Sequence, residues 1–174
     1  MPTADPDSRL LLLMRHGKAE NGADRDRDRD LTDKGRSQAG LVGEYLESQG
    51  VRPTRVLVSD AVRTRETWQS VLERMPGFDG EVSFHEELYS GGPGEVLDLL
   101  HTDAGDAAAV MVIGHEPTMG VLSHLLADEE SDAGSVAQAR IGLPTGALSV
   151  LTGALPSWKD LREESLTLHT VVRS

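Results

Sequence analysis

The sequence predicts an α/β sandwich built on a mainly parallel sheet. Short apolar runs of strand length alternate along the chain with stretches in which apolar residues recur at helical spacing. Strands that alternate with helices in this way are connected by crossovers, which make neighbouring strands parallel. The 174 residues show neither an internal repeat nor a break in composition. We therefore expect a single domain that covers residues 1–174, long enough to enclose one adequate core.

The first half of the chain is predicted to hold three strands and three helices. The strands are residues 10–14, 56–58 and 82–85. Thr32 is a candidate N-cap for a helix that Gly50 ends. A second helix is expected from about Ala61 to the Pro76-Gly77 pair, and a third over residues 94–101. Between the first strand and the first helix, residues 24–30 alternate Asp and Arg, which indicates a solvated loop.

The second half continues the same alternation. Residues 110–113 form the fourth predicted strand, and Pro117 suits the first turn of the helix that follows. Residues 128–134 are acidic and small, which is typical of a loop. Two further strands are expected at residues 147–151 and 166–172, and the second alternates as an edge strand does.

Composition excludes several classes of function. The net charge of −12 argues against a general nucleic-acid or anionic-membrane surface. The absence of cysteine excludes disulfides, thiolate catalysis and cysteine-based zinc sites. No run approaches the ~18 apolar residues that a membrane span needs, and residues 1–9 lack the pattern of a signal peptide. We expect a cytoplasmic protein in which any anion site is a local basic pocket.

Three predicted strands end in side chains suited to anion binding. The first strand runs into Arg15-His16-Gly17, the second into Ser59 with Arg63 four residues later, and the fourth into His115. The carboxyl ends of neighbouring parallel strands share one edge of a sheet, where ligands bind in open α/β folds. The Arg-His-Gly triplet alone also suits an ordinary polar strand end. Together, however, the three strand ends predict a crevice with two arginines and two histidines, which fits a phosphoryl group.

The order of these segments resembles the histidine phosphatase superfamily, which also contains cofactor-dependent phosphoglycerate mutases. Within it, the size and motifs are most similar to the small SixA-type phosphohistidine phosphatases. The matching segments are LMRHGKAE (13–20), LTDKG (31–35) with QA (38–39), SDAVR (59–63) with Thr67, ELY (87–89) and GHEP (114–117). The resemblance implies a phosphoglycerate mutase-like fold, a three-layer α/β/α sandwich with a mainly parallel, mixed sheet.

The resemblance also implies roles for the matched positions. His16 would be the nucleophile that accepts the phosphoryl group, and Arg15 and Arg63 would clamp its oxygens with Gly17 beside them. His115 would add a hydrogen-bond donor or a positive charge. An attacking imidazole must be unprotonated on the attacking nitrogen, so the other ring nitrogen of His16 should donate to a backbone carbonyl. No metal or cofactor is expected, because arginine and histidine supply the positive charge.

The general acid is less well defined by the sequence. Glu87 follows the third strand and is the candidate, with Glu86 as an alternative; either could instead be a surface carboxylate. Arg29 and Lys18 are candidates for the rim of the pocket.

The leading functional hypothesis is a metal-independent phosphatase that acts on protein phosphohistidine. A small-molecule phosphomonoesterase and a catalytically silent phosphate-binding module stay open as alternatives. A mutase is disfavoured because the segment after Leu88-Tyr89 is short. The expected partner is therefore a phosphorylated protein or a small phosphorylated substrate, and the oligomeric state is not predicted.

Overall fold

One mixed sheet of six strands organises the molecule. The computed structural model of the protein describes residues 5–174. The strands are β1 (Ser8–Arg15), β2 (Arg55–Ser59), β3 (Glu81–His85), β4 (Ala109–Gly114), β5 (Leu148–Ala154) and β6 (Thr167–Val172). They lie in the order β3-β2-β4-β1-β5-β6, with β1 to β4 parallel and β5 antiparallel to both β1 and β6. The predicted mainly parallel, mixed sheet is confirmed, as is the position of β6 at an edge.

Six helices cover the sheet. They are α1 (Asp33–Ser48), α2 (Val62–Leu72), α3 (Glu87–Ser90), α4 (Pro93–Asp103), α5 (Thr118–Leu125) and α6 (Ala133–Ile141). Thr32 caps α1 as predicted, since its side chain accepts a hydrogen bond from the Gly35 amide. None of the helices within residues 5–174 has the length and apolar character that a membrane crossing requires.

The sequence analysis missed helices that lack a clear apolar period. α6 begins at the end of the loop predicted for residues 128–134, and the Asp132 side chain caps it by accepting from the Ser135 amide. α3 is a single short turn directly after β3. A 3-10 turn, Asp26–Asp28, lies within the stretch that was predicted to be a solvated loop. None of its three residues is buried, in agreement with a solvated loop, and the carbonyl of Asp26 accepts a hydrogen bond from Arg63 on α2.

Side chains of β1 alternate between two apolar cores, one on each face of the sheet. Leu11 and Leu13 face the layer of α4, α5 and α6, whereas Leu12 and Met14 face the layer of α1 and α2. Successive side chains of a strand point to opposite faces, so a strand buried on both sides has a continuous apolar run. The residues at these four positions are essentially fully buried. The three-layer α/β/α arrangement is thereby confirmed.

The parallel register fixes which residues meet at the carboxyl edge. Arg15 on β1 is paired with Gly114 on β4, and the His16 amide donates to the Gly114 carbonyl. His16 and His115 therefore leave neighbouring strands at the same level. The antiparallel strand β5 begins at this edge, where the Arg15 amide donates to the Ala147 carbonyl and the Gly146 amide donates to the His16 carbonyl.

The first turn of α1 packs directly on the segment that follows β1. A Cβ added to Gly17 would overlap the carbonyl oxygen of Gly35, and a Cβ added to Gly35 would overlap that of Lys18. Backbone can approach backbone this closely only where neither residue has a side chain. The two glycines thus set the distance between α1 and the turn that carries His16.

We expect Gly35→Ala to destabilise the protein by about 1–3 kcal/mol, as overpacking does in other cores. Replacement of an exposed helical glycine by alanine normally stabilises a protein. A loss of stability in Gly35→Ala would therefore report the close approach of the two backbones. Gly94, in the first turn of α4, has open space around its Cα and is the matched control. Urea denaturation of both variants measures the effect. A Gly35→Ala protein as stable as Gly94→Ala would contradict the close approach.

Candidate active site

The imidazole of His16 is buried at the end of β1, and its two ring nitrogens have different partners. Nδ1 lies 2.6 Å from the carbonyl oxygen of Gly17, and Nε2 lies 3.3 Å from Nε of Arg63. A carbonyl oxygen only accepts and an arginine Nε only donates, so the proton resides on Nδ1. Nε2 therefore carries the free electron pair, and the hydrogen bond expected from the sequence is present.

The surroundings of His16 keep its ring neutral. Burial lowers the pKa of His16 to about 4, and the positive charges of Arg63 and Arg15 act in the same direction. The hydrogen bond to Gly17 opposes this shift without cancelling it. At neutral pH the ring is thus an unprotonated base in a cationic setting, which is the state a nucleophilic nitrogen needs.

His115 leaves β4 beside His16, with 5.3 Å between the two ring centroids. Its Nε2 lies 2.8 Å from Oγ of Ser59, the last residue of β2, whereas its Nδ1 is buried without a partner among residues 5–174. Burial lowers the pKa of His115 to about 3, and the neighbouring His16 and Arg63 contribute further. A neutral His115 offers a hydrogen bond and not a full charge. Ser59, to which the sequence analysis gave no role, orients this ring.

Arg63 lies in the first turn of α2 and is nearly fully buried. Besides the bond from Nε to His16, its two terminal nitrogens both donate to Asp26. One reaches the Asp26 carbonyl oxygen at 2.9 Å, and the other reaches Oδ2 of the carboxylate at 3.0 Å. The guanidinium is therefore held between His16 and an acidic residue from the 3-10 turn.

Asp26 was missed by the sequence analysis, which placed it in a solvated loop. Its carboxylate also accepts from Arg29 at 3.0 Å and from the Tyr89 hydroxyl at 2.9 Å. These two hydrogen bonds, followed by that from Arg63, lower the pKa of Asp26 to about 2. The sequence signal for these contacts was the alternation of Asp and Arg over residues 24–30, which places an opposite charge next to every carboxylate. Arg29 borders the site through Asp26, whereas the Lys18 side chain is exposed.

Arg15 lies on the other side of His16, at the last position of β1. It donates from a terminal nitrogen to the Leu143 carbonyl at 2.9 Å, and its Nε is buried without a partner within residues 5–174. The Glu116 carboxylate braces the same loop by accepting from the amides of Gly120 at 2.7 Å and Leu143 at 3.1 Å. Glu116 had no assigned role in the GHEP motif, and here it fixes the segment that holds Arg15.

Gly17 makes contacts within the protein on both sides of its peptide. Its amide donates to Oγ1 of Thr67 at 3.1 Å, and its carbonyl accepts from His16. The Thr67 hydroxyl in turn donates to the Arg63 carbonyl at 2.7 Å. The absent side chain of Gly17 is explained by the approach of Gly35. The expected place of Gly17 beside the bound phosphoryl group stays a prediction.

Glu87 is not brought to this cluster by any contact within residues 5–174. Its exposed carboxylate lies 3.9 Å from Nδ1 of His85, and that of Glu86 pairs with Arg27. Tyr89, on the same short helix, does reach the site, because its ring lies 5.6 Å from the His115 ring and its hydroxyl meets Asp26. The role of Glu87 as a general acid stays a prediction.

The site can bind an anion against a neutral nucleophile. Arg15 and Arg63 flank His16, His115 lies beside them, and rigid strand ends or a helix turn carry all four side chains. Over residues 5–174 no three acidic or histidine side chains are grouped so that they could hold a metal ion.

Comparison with known proteins places this arrangement in a family. Residues 11–96 match the histidine phosphatase superfamily (branch 1), a range that includes Arg15, His16, Arg63 and Glu87. An uncharacterised protein of Mycobacterium tuberculosis is 33% identical over 151 residues, which is 85% of this chain and 91% of that protein.

Two solved structures extend the likeness to nearly the whole chain. A candidate phosphohistidine phosphatase SixA from Nakamurella multipartita superimposes with a TM-score of 0.83 at 31% identity, over 95% of this chain and 96% of that one. A protein histidine phosphatase SixA complexed with tungstate gives a TM-score of 0.75 at 26% identity, over 94% and 96% of the two chains.

The fold and these likenesses indicate a phosphatase. The chain belongs to the histidine phosphatase superfamily, branch 1. Within that superfamily its likeness is to the SixA-type branch.

We expect the His16 ring to stay neutral on acidification to about pH 5 and to take up a proton near pH 4, well below the ordinary value of 6.5. Histidine-ring NMR across this range measures the midpoint, and His16→Ala assigns the resonance. Arg63→Gln should raise the midpoint, because it removes a positive charge while burial remains. A wild-type midpoint near 6.5 would show that His16 is not desolvated as described.

Proposed function

We propose that this protein is a phosphatase in which Nε2 of His16 accepts the phosphoryl group of a protein phosphohistidine. The observation that carries the proposal is the protonation pattern of His16. The Gly17 carbonyl holds the proton on Nδ1, which leaves the Nε2 electron pair beside the Arg63 guanidinium. The nitrogen that would attack phosphorus therefore lies in contact with a guanidinium that can bind the phosphoryl oxygens.

The first step is an in-line displacement at phosphorus. The Nε2 electron pair forms the new N–P bond, and the bond between phosphorus and the leaving group breaks on the opposite side. Arg15 and Arg63 hold the equatorial oxygens, and His115 donates a further hydrogen bond. Because a phosphoryl transition state spreads its charge over these oxygens, positioned cationic donors contribute most of the catalysis.

The second step returns the enzyme to its starting state. Water attacks the phosphorus of phospho-His16, the N–P bond breaks, and its electron pair returns to Nε2. One proton of the water passes to a phosphoryl oxygen, the other stays on the attacking oxygen, and the product leaves as inorganic phosphate. The proton stays on Nδ1, hydrogen-bonded to the Gly17 carbonyl, through both steps, so the ring needs no change of tautomer.

Two features favour a phosphohistidine substrate over a phosphate monoester. An imidazole leaves without a strong proton donor, whereas an alkoxide must be protonated as it departs. The Glu87 carboxylate has His85 as its neighbour and makes no contact with the four site residues. The SixA-type relatives support the same choice. A phosphomonoesterase and a silent phosphate-binding module are the alternatives that the test below separates.

We expect rapid quenching with labelled phosphohistidine protein to trap an acid-labile phosphoenzyme, and we expect His16→Ala to abolish it. The substrates tested also include aryl and alkyl phosphates, each assayed with and without a chelator. The chelator should not reduce activity. Preferred turnover of an alkyl phosphate would identify a phosphomonoesterase. Binding of phosphate without turnover of any substrate would identify a binding module.

Arg63→Lys should lower the single-turnover rate by roughly 10²–10³, by analogy with the loss of one oxyanion-hole donor. Lysine keeps the charge but not the planar fork that reaches His16 and a second group together. Arg36→Lys, which changes an exposed arginine on α1 paired with Asp33 and Glu66, is the control. Near-wild-type kinetics for Arg63→Lys would remove this residue from the site.

A further inference from the structure

We propose that Asp26 determines substrate specificity by placing a fixed carboxylate where the leaving group departs. This carboxylate favours a leaving nitrogen heterocycle that carries an N–H and a positive charge, and it disfavours a leaving group that becomes an anion. The inference rests on the proposed phosphatase function and names the residue that selects among its substrates.

The carboxylate is positioned against the group that must bind phosphate. Oδ2 of Asp26 lies 3.0 Å from a terminal nitrogen of Arg63, whose Nε touches the nucleophilic Nε2 of His16. A phosphoryl group attacked by His16 has to take up donors of this same guanidinium. Substrate phosphate and the Asp26 carboxylate therefore compete for Arg63.

Asp26 does not leave the site when it loses Arg63. Oδ1 is held by Arg29 at 3.0 Å, and Oδ2 is also held by the Tyr89 hydroxyl at 2.9 Å. Neither of these two hydrogen bonds is made by Arg63. The displaced carboxylate consequently stays beside the bound phosphoryl group as a fixed negative charge.

Asp26 lies at the solvent-exposed entrance of the site, which brings it close to the leaving group. Its side chain is 53% exposed, whereas that of Arg63 beneath it is only 8% exposed. In-line attack by the buried His16 sends the leaving group away from His16 and outward. Arg27 is paired with Asp60 and Glu86, and Arg29 offsets the charge at Oδ1 of Asp26. Arg63 is the cation paired with Oδ2, and phosphate that takes up Arg63 removes this partner.

A protonated phosphoimidazole satisfies this carboxylate. Its second ring nitrogen carries an N–H that can donate to Asp26, and its positive charge offsets the repulsion from the phosphoryl group. When the P–N bond breaks, the bonding pair stays on the leaving nitrogen and the product is neutral imidazole. No proton has to be supplied. A monoester has no such N–H, and its leaving oxygen develops negative charge next to a carboxylate.

The test compares Asp26→Asn with wild type on a phosphohistidine peptide and on para-nitrophenyl phosphate at one pH. We expect the ratio of the two kcat/KM values to fall by about tenfold or more, with phosphohistidine losing rate and the aryl phosphate gaining or holding it. Inorganic phosphate should inhibit the variant at lower concentration, because the side chain at position 26, which competes with phosphate for Arg63, is no longer charged.

Two further variants separate charge from structure. Asp28→Asn alters the same 3-10 turn at a carboxylate paired with Arg25, and it should leave the ratio and the inhibition unchanged. Asp26→Glu keeps the charge and should keep the preference for phosphohistidine.

Equal losses on both substrates, or weaker inhibition by phosphate in Asp26→Asn, would overturn the inference. Either result would mean that Asp26 only supports Arg63. These outcomes are distinct from failure of the proposed function, which would show as a wild-type enzyme that turns over neither substrate and forms no phosphoenzyme.

Discussion

The backbone of Gly17 connects the end of β1, the helices α1 and α2, and the imidazole of His16. Its carbonyl fixes the tautomer of His16, its amide is anchored on Thr67 of α2, and its missing side chain admits the first turn of α1. A side chain here would push α1 away, and the carbonyl that orients the imidazole would move with it. The chemistry of the site therefore depends on a packing constraint between two pieces of backbone.

Burial determines the charge state of the two histidines in the site. Two arginines and two histidines share a small volume, and desolvation keeps both imidazoles neutral while the guanidinium groups remain charged. Neutral rings lessen the repulsion that four cations would create, and they leave nitrogen electron pairs available. Asp26 supplies the compensating negative charge at the rim, with Arg29 and Tyr89 holding it in place.

The parts of the structure that the sequence predicted well are those governed by periodicity and strand order. The apolar run before Arg15 and the run before His115 are continuous because their strands are buried on both faces, so their ends could be located and paired. The same logic placed Arg63 in a first helical turn.

Short elements held by polar contacts could not be predicted from periodicity. α6 depends on a cap at Asp132, and the turn at Asp26 is held by Arg63 and Tyr89, which are distant in sequence. Glu87 shows the converse, because a position after a strand does not determine where a flexible carboxylate points.

The reversed direction of β5 has a consequence for how the site is assembled. A strand parallel to β1 would present its own end at the carboxyl edge, whereas β5 presents its beginning, and with it the loop whose Leu143 carbonyl holds Arg15. Leu143 lies 128 residues after Arg15 in the chain. Because β4 lies between β1 and β2 in the sheet, His16 and Arg63 reach their positions only once β4 is in place, and Arg15 receives its carbonyl partner from a segment synthesised later still. The nascent chain thus holds an incomplete anion site until its last third has folded onto the sheet.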